Sequence, residues 1–158
     1  QQFKESIQAF KEAFPNLTLA TDVIVGFPGE TNQAFQNTLQ LLREIKPDIT
    51  NVSKFFARPK TAAAEMKEGK VMLEEIKRRS TLTTLLVKQL SFERNKQWIG
   101  WSGEILIDEI GKMKDSWVGR NFAYKPIAVK SQENLLGKTI KVKVNQAFPT
   151  YLPGNIIP

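Results

Sequence analysis

The sequence predicts an α/β protein: a partial parallel α/β layer, followed by a small antiparallel β-barrel. Three observations predict this. Helix-length apolar periods alternate with Val/Ile-rich runs over residues 1–97, as in a parallel α/β unit. Beyond Gly100 the pattern turns to short strands separated by Gly-, Asn- and Lys-containing turns. The run Ile140-Lys141-Val142-Lys143-Val144 alternates strictly, which puts its apolar residues on one face and its lysines on the other. The expected division is therefore 1–97 and 98–158.

Taken in order, Phe3, Ile7, Phe10 and Phe14 recur at helical spacing and form an apolar stripe. Pro15-Asn16 ends that helix. The run through Val25 has the continuous Val/Ile content of a parallel strand covered on both faces. Thr31 is placed to cap the next helix, with Phe35, Leu39 and Leu42 inward and Pro47 closing it. A strand at 49–56 follows, so the order is helix, strand, helix, strand. Two or three strands cannot close an eight-stranded barrel, and open edges need covering. Residues 65–70 read as an exposed connector, and one long helix is expected from about Val71 to Lys96. Its Lys77-Arg78-Arg79 run is either a solvated face or an RNA-backbone contact. The expected later strands are 104–108, 117–120, 126–130 and 140–144.

Composition narrows the chemistry. The 158 residues contain no Cys and no His. Iron–sulfur clusters are normally held by Cys thiolates and structural zinc by Cys or His. No disulfide and no Cys–His or Ser–His nucleophilic pair can form. No apolar run approaches membrane-spanning length, and no signal-peptide pattern opens the chain. A start at Gln1 rather than Met suggests a fragment. The net charge of +7, from 23 basic and 16 acidic residues, favours an anionic partner. Residues 96–158 hold nine of those basic and five of those acidic groups, a denser excess than before them.

Thr21-Asp22-Val23-Ile24-Val25-Gly26-Phe27-Pro28-Gly29-Glu30-Thr31 reads as a strand entering a Gly/Pro loop and then a helix. Its glycines either allow close backbone approach to a ligand or only supply unusual backbone angles. The spacing is neither the dinucleotide nor the phosphate-loop signature. With Asn51-Val52-Ser53-Lys54-Phe55-Phe56-Ala57-Arg58-Pro59, this stretch resembles the later barrel strands of the radical-SAM methylthiotransferases that modify tRNA. The resemblance is closest to the archaeal and eukaryotic type acting on threonylcarbamoyladenosine. The C-terminal run Trp117–Pro126, with Leu136-Gly137 and Ala147–Gly154, resembles a TRAM domain, a compact tRNA-binding β-barrel. The resemblance implies the end of a radical-SAM (TIM-like) barrel over 1–97 and a TRAM barrel over 98–158. It also implies a missing N-terminal cluster-binding region, a tRNA partner and a cytoplasmic setting. The parent family uses S-adenosylmethionine and two 4Fe-4S clusters. No cofactor is expected in this chain alone, because the three-cysteine motif is absent. Two loops depart from the family pattern. Lys60 and Ala62 replace an expected Gly and Pro, so that loop is expected to take another path, and Phe122-Ala123 replace Thr-Asp.

The resemblance puts Val25, Gly26 and Phe27 in an S-adenosylmethionine pocket. Glu30 either accepts a hydrogen bond there or favours the helix N-terminus. Arg58 either pairs with an anion or makes a salt bridge to a loop acid. Asp22 needs a partner if buried. For RNA, Lys112, Lys114, Arg120, Lys125, Lys141 and Lys143 are candidate phosphate contacts. Trp117, Phe122 and Tyr124 are candidates for base stacking, with Trp117 alternatively a core residue. Asn121 either joins the RNA site or shapes the turn. The expected function is the C-terminal part of a tRNA methylthiotransferase, supplying tRNA binding and part of the pocket. The alternative is a stand-alone or degenerate RNA-binding TRAM protein without catalysis.

Overall fold

A computed structural model describes residues 2–66 and 68–158. It is mixed α/β and ends in a closed five-stranded barrel. By contacts the chain divides into two compact units, one from Leu19 to Leu90 and one joining the segment through Thr18 to Ser91–Pro158. This partition differs from the expected division at 97. The boundary falls inside the long helix, because the helix continues through Ser91 without a break and its last turns pack with the barrel.

The Leu19–Leu90 unit contains β1 (Ala20–Val25), α2 (Asn32–Ile45), β2 (Ile49–Lys54), α3 (Ala62–Glu65) and most of α4 (Leu73–Lys96). Helix α1 (Gln2–Ala13) belongs to the other unit. β1 and β2 pair in parallel, Ala20 opposite Ile49 through Val25 opposite Lys54. The Thr31 hydroxyl caps α2 by accepting from Ala34 N at 3.1 Å, and Lys46 closes it in the left-handed region before Pro47. The inner face of α2 buries Phe35, Leu39 and Leu42. These pack with Val23, Val25 and Val52 of the strands and Leu86, Val87 and Leu90 of α4.

Three expectations are corrected in these segments. β1 is covered on one face only: Ala20, Asp22 and Ile24 are exposed, as are Ile49, Asn51 and Ser53 beside them in register. Among the described residues the helices pack on the opposite face alone, so Ile24 is 58 % exposed despite its apolar neighbours in sequence. Asp22, being exposed, needs no buried partner and simply accepts from Asn51 Nδ2. In α1 only Ile7 of the apolar stripe is buried, while Phe3, Phe10 and Phe14 stand exposed. The loop at Lys60 does adopt the left-handed conformation a Gly would favour, with φ 64°. Thr61 follows it as the cap of α3, accepting from Ala64 N. Within the expected 65–70 connector, Glu65 closes α3 and the Gly69 carbonyl accepts from Gly29 N. Lys67 of that connector lies outside the described residues, as does Gln1.

The barrel is built from β3 (Ser102–Ile110), β4 (Ser116–Arg120), β5 (Pro126–Lys130), β6 (Thr139–Val144) and β7 (Leu152–Ile156), in the order β3-β4-β5-β7-β6. β6 returns to β3, with Ser102 opposite Lys143 and Glu104 opposite Lys141. Alternation places Ile105, Ile107, Ile127, Val129, Val142, Val144 and Leu152 in one core, closed by Trp98. The expectation of a purely antiparallel barrel is corrected at β7, which pairs in parallel with β5 through Ile127–Leu152 and Ala128–Pro153. Pro153 and Gly154 conceal this strand in the sequence, since both residue types are depleted in strands. Pro153 contributes only its carbonyl, which accepts from Asn145 N at 3.0 Å.

Candidate functional site

Two sets of residues carry chemistry, one in each unit. In the α/β unit the strand β1 ends at Val25, which is fully buried and whose carbonyl accepts from Phe55 N at 2.8 Å. Gly26 turns the chain with φ 83°, and a Cβ there would meet Ile76 Cγ1 at 2.5 Å. Its N–H donates to Glu30 Oε2 at 2.7 Å. Phe27 is half exposed and sets its ring edge-on to Phe55, centroids 5.1 Å apart. A cleft of about 330 Å³ opens at these strand ends, lined in part by Gly26, Pro28, Phe55, Ala57 and Val71. Its walls are mainly apolar, and Ile76 fills the space that a side chain at Gly26 would take. Such a cleft suits a flat heterocycle and an aliphatic tail. Arg58 stands exposed outside that wall, its carbonyl accepting from the Thr61 hydroxyl.

The Glu30 carboxylate serves the loop rather than open solvent. Its Oε2 also accepts from Arg79 Nη1 at 2.7 Å, while the same nitrogen donates to the Glu30 carbonyl at 2.8 Å. Arg79 Nη2 donates to Asn32 Oδ1, Nε donates to Glu75 Oε1, and the guanidinium lies 5.3 Å from the Phe35 ring centroid. Arg79 is only 3 % exposed, which corrects its place in a solvated basic run. Burial works against its charge, but the hydrogen bonds to Glu75 and Glu30 outweigh that and raise its pKa. Hydrogen bonds from Arg78, then Arg79, pull the Glu75 carboxyl down to about 2. Sequence reading missed Arg79 as the loop's anchor. The available signal was Glu75 one helical turn ahead of it, a spacing that brings the two side chains together.

In the barrel unit, Lys112 and Lys114 are exposed in the β3–β4 turn, and Lys141 and Lys143 are exposed on the outer face of β6. Arg120 donates to Asp108 Oδ1 at 2.9 Å, approaches Glu109 Oε2 at 3.5 Å and lies 5.2 Å from the Tyr124 ring centroid. Tyr124 is exposed at φ 61°. Asn121 is buried, and its Oδ1 accepts from Ala123 N and Lys125 N, so it shapes the turn. Lys125 is corrected: it is only 3 % exposed, and its Nζ donates to Asn95 Oδ1 at 3.0 Å. Asn95 in turn donates to the Phe148 carbonyl, a link between distant segments that no sequence spacing signals. Trp117 packs against the barrel core and donates to the Ser131 carbonyl, whereas Phe122 is largely exposed. The structure thus brings Arg120, Phe122 and Tyr124 to one turn, and leaves the two lysine pairs on other parts of the barrel. Among the described residues no group of His, Cys, Asp and Glu could hold a metal ion. Nor is any helix among them long and apolar enough to cross a membrane.

No protein-family model matches the chain. It is 39 % identical over 157 residues to the probable threonylcarbamoyladenosine tRNA methylthiotransferase of Pyrococcus horikoshii, covering 99 % of this chain and 36 % of that protein. The protein of the same name from Methanocaldococcus jannaschii is 38 % identical, with 99 % and 34 % covered. The tRNA-2-methylthio-N(6)-dimethylallyladenosine synthase of Herpetosiphon aurantiacus is 32 % identical, with 99 % and 36 % covered. The chain spans about a third of the length of these curated relatives. Similarity along essentially its whole length assigns the chain to the C-terminal part of the tRNA methylthiotransferase family.

Proposed function

We propose that this chain supplies tRNA binding and part of the S-adenosylmethionine pocket of a cytoplasmic enzyme that methylthiolates N6-threonylcarbamoyladenosine. In this reading residues 1–97 are the end of a radical-SAM barrel and 98–158 a TRAM barrel. The observation that carries it is the end-to-end similarity to proteins named for that reaction, together with a glycine-backed cleft at the ends of parallel strands. Ligands of parallel α/β folds sit at that end of the sheet.

S-adenosylmethionine fits the residues present in part. Of Val25, Gly26 and Phe27, only Gly26 lines the cleft; Val25 is buried behind it and Phe27 stands outside its wall, and Glu30 with Arg79 holds the Gly26 turn in place. When bound, the group supplies a reactive sulfonium; this chain's residues orient it and exclude water. The iron–sulfur clusters do not fit, because the chain has no Cys to ligate them. No step of the reaction is therefore assigned to this chain. A second reading is an RNA-binding protein without catalysis. A three-cysteine motif upstream in the same gene would support the first reading over the second.

On the barrel, Lys141 and Lys143 project from one strand face and are the natural phosphate contacts. A tRNA titration at two salt concentrations tests the binding role. Affinity should fall as salt rises, since each phosphate contact releases counterions. Replacing Lys141 and Lys143 with Ala should weaken binding and flatten the salt slope. Absence of tRNA binding at low salt would refute the binding role. Anaerobic iron and sulfide reconstitution should leave no stoichiometric iron on the desalted chain.

A further inference from the structure

We propose that the barrel unit holds a stacking cleft for one unpaired RNA base, between the segment 14–18 and the turn 122–124. The inference rests on the RNA-binding reading above and specifies where a base would be held. A cleft of about 510 Å³ is lined by Phe14, Pro15, Asn16, Phe122, Ala123 and Tyr124 among others, within one compact unit. That volume lies in the range of small-molecule sites.

Single exposed aromatics are ordinary on protein surfaces. Here Phe14, Phe122 and Tyr124, 59 %, 72 % and 68 % exposed, all line the same cleft. The walls are fixed from behind. The Thr18 hydroxyl donates to the Ala123 carbonyl at 2.6 Å, tying one side to the other. Asn121 Oδ1 accepts from the N–H groups of both Ala123 and Lys125, and Tyr124 N donates to the Asn121 carbonyl. That network keeps Tyr124 at φ 61°, a backbone region unfavourable for a bulky side chain. Phe122 packs toward Trp98 and Trp101, with centroids 5.9 and 6.3 Å away.

The occupant follows from chemistry. Flat aromatic walls suit a planar π system, and Arg120, its charge paired with Asp108 and Glu109, lies against the Tyr124 ring at the margin. Exposed Asn16 offers both a donor and an acceptor for a base edge. Unit 1, taking the segment through Thr18 with Ser91–Pro158, carries twelve basic and eight acidic residues, net +4. An apolar cleft on a cationic unit matches a nucleobase on its polyanionic backbone better than a neutral apolar peptide.

The test uses the 158-residue chain and two labelled probes in fluorescence anisotropy, an oligoadenylate heptamer and an abasic ribose-phosphate heptamer. Tyr124→Asn removes the ring with a residue that tolerates the left-handed backbone; Phe14→Ala removes the opposite wall. Each should weaken oligoadenylate binding about 5- to 150-fold, the range of a lost base–aromatic stack, and leave abasic binding unchanged. Tyr124→Phe should bind like wild type, and circular dichroism melts confirm folding. If the folded variants bind oligoadenylate as wild type does, the cleft assignment is overturned while RNA binding stands. If wild type binds neither probe, both readings fall. Loss of self-association in the variants, with RNA binding unchanged, would reassign the cleft to a second copy of the chain.

Discussion

Replacing Arg79 with Met should destabilise the α/β unit by roughly 3–5 kcal/mol, the usual cost of removing one partner from a buried charge pair. Met keeps an apolar stem of similar reach, so the loss isolates the guanidinium's polar contacts. Those contacts are the Glu30 carbonyl and carboxylate, Asn32 Oδ1 and Glu75 Oε1, all between 2.7 and 2.9 Å. The Glu30 side chain, 11 % exposed, would keep only the Gly26 N–H and would have to draw in water. With a urea m-value of about 1–3 kcal/mol/M for a small domain, the midpoint should fall by about 1–5 M. The two units can be followed separately. All three Trp and both Tyr lie outside Leu19–Leu90, so tryptophan fluorescence reports the barrel unit while far-UV circular dichroism senses both. The dichroism transition should move more than the fluorescence transition. An unchanged dichroism midpoint would refute the anchoring role. Full recovery by Arg79→Lys would show that charge alone matters and that the forked geometry does not.

Three further outcomes are expected. Gly26→Ala should cost about 1–3 kcal/mol, because φ is positive there and the new methyl would crowd Ile76; thermal melts check this, and unchanged stability would mean the turn relaxes freely. The Glu75 carboxyl is lowered from 4.5 to about 2. The stability it contributes is complete above pH 4.5 and disappears as pH falls through about 2, so Glu75→Gln should flatten the acid limb of a urea-midpoint series between those values. Lys125→Ala should lower stability by about 1–3 kcal/mol by leaving Asn95 Oδ1 without its partner, whereas an exposed lysine would show almost no change in the same melt.

The amino-acid sequence by itself determined the order of the elements and their inner faces. The 3.6-residue spacing of Phe35, Leu39 and Leu42, and the two-residue alternation of Ile140, Val142 and Val144, are local patterns that burial then follows. Thr31 and Pro47 marked the ends of α2 for equally local reasons, a hydroxyl acceptor at one end and a missing N–H at the other. Gly26 was legible as a special backbone position, and the resemblance pointed to the strand end it follows. Tertiary structure decided the rest. Whether Lys125 and Arg79 face water depends on Asn95, Glu30 and Asn32, residues 30 to 49 positions away, and no local period encodes such partners. Strand β7 closes the barrel although Pro153 and Gly154 argue against a strand, because pairing to β5 and β6 outweighs weak local preference. The bare face of β1 and β2 was likewise hidden, since a Val/Ile run states that a strand can be buried and not what is there to bury it. Periodicity reports which way a side chain turns relative to its own element; only the packed neighbours determine what it meets there.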